Sequence, residues 1–142
     1  MAEPSASFRE IEHTADLGVE VTAATFHALL AASGEALFAL IADPRNIDLR
    51  EEIVVSASGE EPEELLHAWL CELLACFNIE GFIGKKCSID QITAGRLNGT
   101  IRGEKLDLSR HRFRTEIKGV TYHQFRVWQE AGLWRARIIF DV

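Results

Sequence analysis

No apolar run approaches the ~18 residues needed to span a bilayer, and the N-terminal stretch lacks the apolar core of a signal peptide. A cytoplasmic protein with no membrane segment is therefore expected. Cysteine is scarce: Cys71, Cys76 and Cys87 are odd in number and unpatterned, with no CxxC pair. Reduced thiols that pack as small hydrophobes fit this better than a disulfide framework. Positive charge is also short, with 15 Lys and Arg against 22 Asp and Glu, a formal net charge of -7. Stable clamping of nucleic acid needs clustered Lys and Arg, so no stable direct RNA binding is expected from the chain alone. Gly-rich phosphate loops, zinc-ligand spacing, a Ser/His/Asp order, repeats and linkers are all missing; the five histidines are scattered.

What remains is a chain of 142 residues, 47% apolar and 26% charged, which suits one globular domain over 1–142. Residues 1–7 are small and polar and are expected to fray. Alternation marks strands over about 8–13 and 17–23. Thr25 is placed to cap a helix that runs to Ala42, with Phe26, Leu29, Leu30, Leu37, Leu40 and Ile41 on one stripe; Gly34 weakens its middle slightly. Residues 47–58 read as extended. Pro62 opens a second helix, in which Leu65, Leu66, Trp69, Leu70, Leu73, Leu74 and Phe77 recur at helical spacing, and Gly81 ends it. Residues 82–92 and 97–102 read as a strand pair turning near Ala94-Gly95. A polar excursion follows over 103–115, then a closing hairpin over 117–128 and 133–140. This order gives an α+β fold, with two helices packed on one face of a mostly antiparallel sheet.

Two polar stretches stand where apolar strands end. Glu12-His13-Thr14-Ala15-Asp16 separates the first two strands, and Asp141-Val142 closes the last. Asp16 is read either as a turn aspartate or as an oxygen ligand for a hard cation, the latter if Asp141 and the Val142 carboxylate lie nearby. His13 is read as a core imidazole, an acid/base group or an outer partner of such a site. Residues 118–123, with Lys118, Tyr122 and His123, form either an exposed strand face or a recognition surface. The island Ser109-Arg110-His111-Arg112-Phe113-Arg114 is read as solvated loop or as a contact for an anionic partner.

These stretches, in this order, resemble the archease family from Phe8 to Val142. The resemblance rests on the 12–18 motif, the Leu-rich helix followed by Asn78-Ile79-Glu80-Gly81, Gly103-Glu104-Lys105-Leu106-Asp107, the 116–123 motif and the terminal Asp141-Val142. It implies a fold related to the strand-helix-strand-strand (SHS2) module with an inserted strand pair. It also implies a non-enzymatic activator of the RtcB-type RNA ligase of tRNA splicing, promoting ligase guanylylation and multiple turnover. A divalent ion, calcium first and Mg²⁺ or Mn²⁺ as alternatives, would sit on Asp16, Asp141 and Val142. His13, Lys118, Tyr122 and His123 would form the partner surface. The chain departs from the family's pattern at Thr25-Phe26-His27-Ala28, where two glutamates are usual, at Gly119-Val120 and at Val142. The rival readings are a chaperone or adaptor in another RNA-modification pathway and a small metal-dependent phosphoester hydrolase using Asp16, Asp141 and His13.

Overall fold

Burial of the period-2 and period-3.6 stripes dictates a layered arrangement. The computed structural model of the protein describes residues 6–11 and 16–142. Its elements are β1 (Ser7–Ile11), β2 (Asp16–Ala23), α1 (Phe26–Ile41), a 3₁₀ turn (Pro44–Asn46), β3 (Glu51–Ser58), α2 (Pro62–Glu80), β4 (Phe82–Thr93), β5 (Arg96–Lys105), β6 (Gly119–Glu130) and β7 (Leu133–Asp141). All named pairings are antiparallel, and the class is α+β as expected.

The strands form two sheets rather than one, in the orders β1-β2-β7-β6 and β3-β5-β4. The β3-α2-β4-β5 excursion carries a complete second sheet, and the last hairpin returns to pair with β2 through β7. The two helices supply the apolar layer. Thr25 caps α1 by accepting from the Ala28 amide at 3.0 Å. In α2 the Glu64 carboxylate accepts from the Glu61 amide at 3.0 Å, and Gly81 adopts φ +70°, returning its N–H to the Phe77 carbonyl.

The α2 stripe is buried from Leu65 to Leu74 as its spacing predicts, whereas Phe77, in the last turn, is only half-buried. Trp69 is fully enclosed and donates from Nε1 to the Leu30 carbonyl of α1 at 3.0 Å. Gly34 marks the close approach of the helices. A Cβ there would lie 2.7 Å from Leu73 Cδ1 and 2.9 Å from Cys87 Sγ, so its absent side chain is a packing requirement rather than a weak spot.

Several boundaries move. Ser7 is already in β1, residues 47–50 precede β3 rather than belong to it, and β5 runs on to Lys105. The three cysteines are free, with Cys87 buried and the other two half-buried. None of the helices is long and apolar enough to cross a membrane, among the described residues.

Candidate functional site

One end of the first sheet gathers the termini of three strands. The β2–β7 register sets Asp16 directly opposite Asp141, and the β6–β7 register sets Gly119 on the other side of Asp141. Opposed residues in an antiparallel pair have Cα atoms about 4.5–5.5 Å apart, so two carboxylate-bearing side chains share one face at one strand end. The Lys118 amide donates to the Asp141 carbonyl at 2.7 Å, which fixes where Lys118 leaves the sheet. Lys118, Asp141 and Val142 are exposed. Alternation turns Asp16 away from the helices: Leu17, Val19 and Val21 face inward, whereas Asp16, Gly18 and Glu20 face outward. His13 lies outside the described residues.

Among the described residues, Asp16 and Asp141 offer oxygen donors at this end, the kind a hard cation takes. Among the described residues no group of three or more His, Cys, Asp and Glu side chains gathers as a metal cage. The Asp16–Asp141 pair brings two carboxylate-bearing residues opposite each other.

Tyr122 and His123 lie in a different setting from Lys118. Thr121 pairs with Ile139 and Arg126 with Arg137, so residues 122–125 stand opposite Ile138 alone and bulge from the ladder. Gln124 takes φ +59° within the bulge. The Tyr122 ring stacks on His67 of α2 with centroids 3.8 Å apart and planes 12° apart, and Phe125 meets His67 edge-on at 5.4 Å. His67 Nε2 lies 2.8 Å from the Val120 carbonyl and Nδ1 3.6 Å from Cys71 Sγ. A neutral imidazole satisfies both contacts, donating from Nε2 and accepting the thiol proton at Nδ1. Beyond the bulge, Glu63 of α2 accepts from the Val127 amide at 2.9 Å. His67 was hidden in the sequence as one scattered histidine; its signal is its place beside the α2 stripe, four residues before Cys71.

The 106–118 segment delivers the chain to Lys118, and two ion clusters hold it. Glu104 is buried and accepts from the Asp48 amide at 2.7 Å, Arg110 at 2.6 Å and His111 Nε2 at 2.8 Å. Burial alone would raise its carboxyl, but these donors outweigh that and bring it down to about 2. His111 Nδ1 accepts from the Asp107 amide at 2.8 Å, which fixes the Nε2–H tautomer.

The basic island is therefore only partly solvated: Arg110 and His111 serve Glu104. Arg114 reaches Asp43 at 3.3 Å, and its amide donates to the Ile41 carbonyl at 2.7 Å. Asp43 also takes a forked contact from Arg45, which with the Arg45 amide holds its carboxyl well below the usual carboxylate range. The segment ends on Ile117, which is buried, and Lys118, which is not.

"Protein archease" of Methanopyrus kandleri is 38% identical over 138 residues, spanning 95% of this chain and 99% of that relative. "Protein archease" of Pyrococcus furiosus is 35% identical over 135 residues, spanning 92% and 95%. A solution structure from Methanobacterium thermoautotrophicum superposes with TM-score 0.80 at 27% identity, covering 95% of this chain and 98% of that one. A Thermotoga maritima crystal structure, described as an archease and possible chaperone, shares the fold at TM-score 0.68 and 23% identity over 94% and 96% of the two chains. The profile of the archease protein family matches residues 8–142, and the chain belongs to that family.

Proposed function

We propose that this chain activates an RtcB-type RNA ligase through protein contact, promoting ligase guanylylation and turnover without catalysing the step itself. The observation that carries this is the row Asp16–Asp141–Gly119 with Lys118 beside it, at one end of a sheet in a chain of the archease family. Lys118 offers a mobile point charge held at its root by the Asp141 carbonyl, and the paired aspartates offer oxygen ligands. The Tyr122 ring, 62% exposed and backed by His67, adds an apolar anchor of the kind that contributes most at protein interfaces.

A divalent cation on Asp16, Asp141 and the Val142 carboxylate would offset the repulsion of the paired acids and hold the strand ends together. Calcium fits a flexible oxygen set; Mg²⁺ and Mn²⁺ use the same donors.

The test is a guanylylation and multiple-turnover assay of the cognate ligase with and without this protein. Asp16→Ala, Lys118→Ala and Asp141→Ala are then compared singly, each checked for folding. Folded variants that lose stimulation support the reading. If all three stimulate like the wild type, the surface lies elsewhere. If the wild type does not stimulate at all, the ligase reading fails and an adaptor or chaperone role takes its place.

A further inference from the structure

The outer face of the first sheet, turned away from the helices, is graded row by row. The acidic row Asp16–Asp141 comes first. The next row, Ile11–Gly18–Ile139–Thr121, is apolar on its first three strands and tight: a Cβ at Gly18 would lie 2.6 Å from Ile11 and 3.2 Å from Ile139. The third row crosses all four strands as Arg9–Glu20–Arg137–Arg126, and the fourth carries Arg135 opposite Trp128.

Glu20 accepts from Arg9 at 2.6 Å and from Arg137 at 3.3 Å, so one carboxylate orients two guanidinium groups. Arg126 lies over the Trp128 ring at 4.5 Å. Arg135 approaches Glu130 at 3.5 Å. The Nε atoms of Arg135 and Arg137 are buried and carry no hydrogen bond among the described residues. Four arginines thus face two glutamates, a local positive surplus in a chain whose net charge is -7.

We infer that these two rows are a contact surface for single-stranded RNA, with Arg9, Arg135 and Arg137 taking phosphates and the Arg126–Trp128 pair offering a plane on which a base stacks. The guanidinium fork matches phosphate oxygens two at a time. Arg135 and Arg137 are successive outward residues of β7, about 6.6 Å apart, which suits an extended backbone laid along the strand. Aromatic rings and guanidinium planes are the surfaces on which unpaired bases stack. An acidic peptide would use the arginines but has no need of the Arg126–Trp128 stack. With only about three phosphate contacts and a net-acidic chain around them, the attraction is weak and is lost as salt rises, so the contact stays consistent with an absence of stable RNA binding. The inference does not depend on the ligase reading, because the protein alone is assayed.

Fluorescence anisotropy of a labelled oligouridylate at low salt is the direct test. Binding through about three phosphates should weaken roughly 100-fold over a tenfold rise in salt. Arg126→Ser/Arg135→Ser/Arg137→Ser should weaken it at least about tenfold, and Arg96→Ser/Arg102→Ser on the second sheet should leave it unchanged. Trp128→Leu should weaken RNA binding but not binding of oligoglutamate. Absence of binding, a triple variant that binds like the wild type, or equal displacement by oligoglutamate would each overturn the inference. Amide-shift mapping of the wild type with oligouridylate decides the matter if the triple variant fails to fold. Shifts must fall on β1, β2, β6 and β7 rather than on β3–β5.

Discussion

Trp69 is the side chain through which helices and second sheet meet, and its removal gives a sharp test of the packing. It is fully enclosed, donates to the Leu30 carbonyl, and lies against Gly99 of β5, where a Cβ would come within 2.6 Å of its Cη2. Truncating a buried Trp to Ala costs about 3–5 kcal/mol, and losing the hydrogen bond adds about 1 kcal/mol. Against a total of about 5–15 kcal/mol this brings the domain near its threshold. Gly99→Ala should cost about 1–3 kcal/mol by overpacking against the ring. In a Trp69→Phe background the shorter ring withdraws from that contact. The two changes should then cost less together than their sum, by about 0.5–1 kcal/mol, with the Ser88 carbonyl at 2.9 Å keeping relief incomplete. Urea unfolding followed by far-ultraviolet circular dichroism gives all four corners of the cycle. A Trp69→Ala cost under about 1 kcal/mol, or strict additivity of the pair, would refute this account of the core.

Three further outcomes are expected. Gly119→Ala should stabilise by about 0.4–1 kcal/mol in thermal unfolding, because a Cβ there meets nothing within 4 Å and φ is not positive; destabilisation would mean that the strand end needs glycine's freedom. Glu104→Ala should cost about 2–3 kcal/mol at neutral pH, below the range for a fully buried pair because Arg50 and Arg110 are partly exposed. The folded-state carboxyl of Glu104 lies below its ordinary value, so its contribution is full above about 4.5 and fades as pH falls towards about 2. The wild-type advantage in urea midpoint should shrink across that window, and a constant advantage would refute the pairing. Finally, Ca²⁺ should raise the melting temperature of the wild type and raise it less in Asp16→Asn and Asp141→Asn, with titration calorimetry giving the affinities; equal shifts in all three would move the ion elsewhere.

What the sequence makes legible is what local periodicity encodes. The α2 stripe from Leu65 to Leu74, its Gly81 stop and the hairpin turn at Ala131-Gly132 each depend on residues within a few positions of one another, and each stands where it was expected. The division into two sheets was not legible, because strand partnership depends on long-range burial rather than on any strand's own pattern. Glu104 and His111 illustrate the same limit. They are seven residues apart, yet only burial makes the carboxylate and imidazole mutual partners, so a basic island reads as solvated until Glu104 is known to be inside. The aspartates at the sheet's end occupy an intermediate position. Their placement at strand ends could be suspected, whereas their opposition needed the register that also pairs Val19 with Ile138 and Val21 with Ala136. That register is set by the core: a one-residue slip of β7 would turn Ile138 and Phe140 to solvent and Asp141 inward. The apolar alternation of β2 and β7 is therefore what fixes Asp16 against Asp141, and by the same register Arg137 against Glu20. A substitution that loosens the inner face should disturb both ends of the outer one.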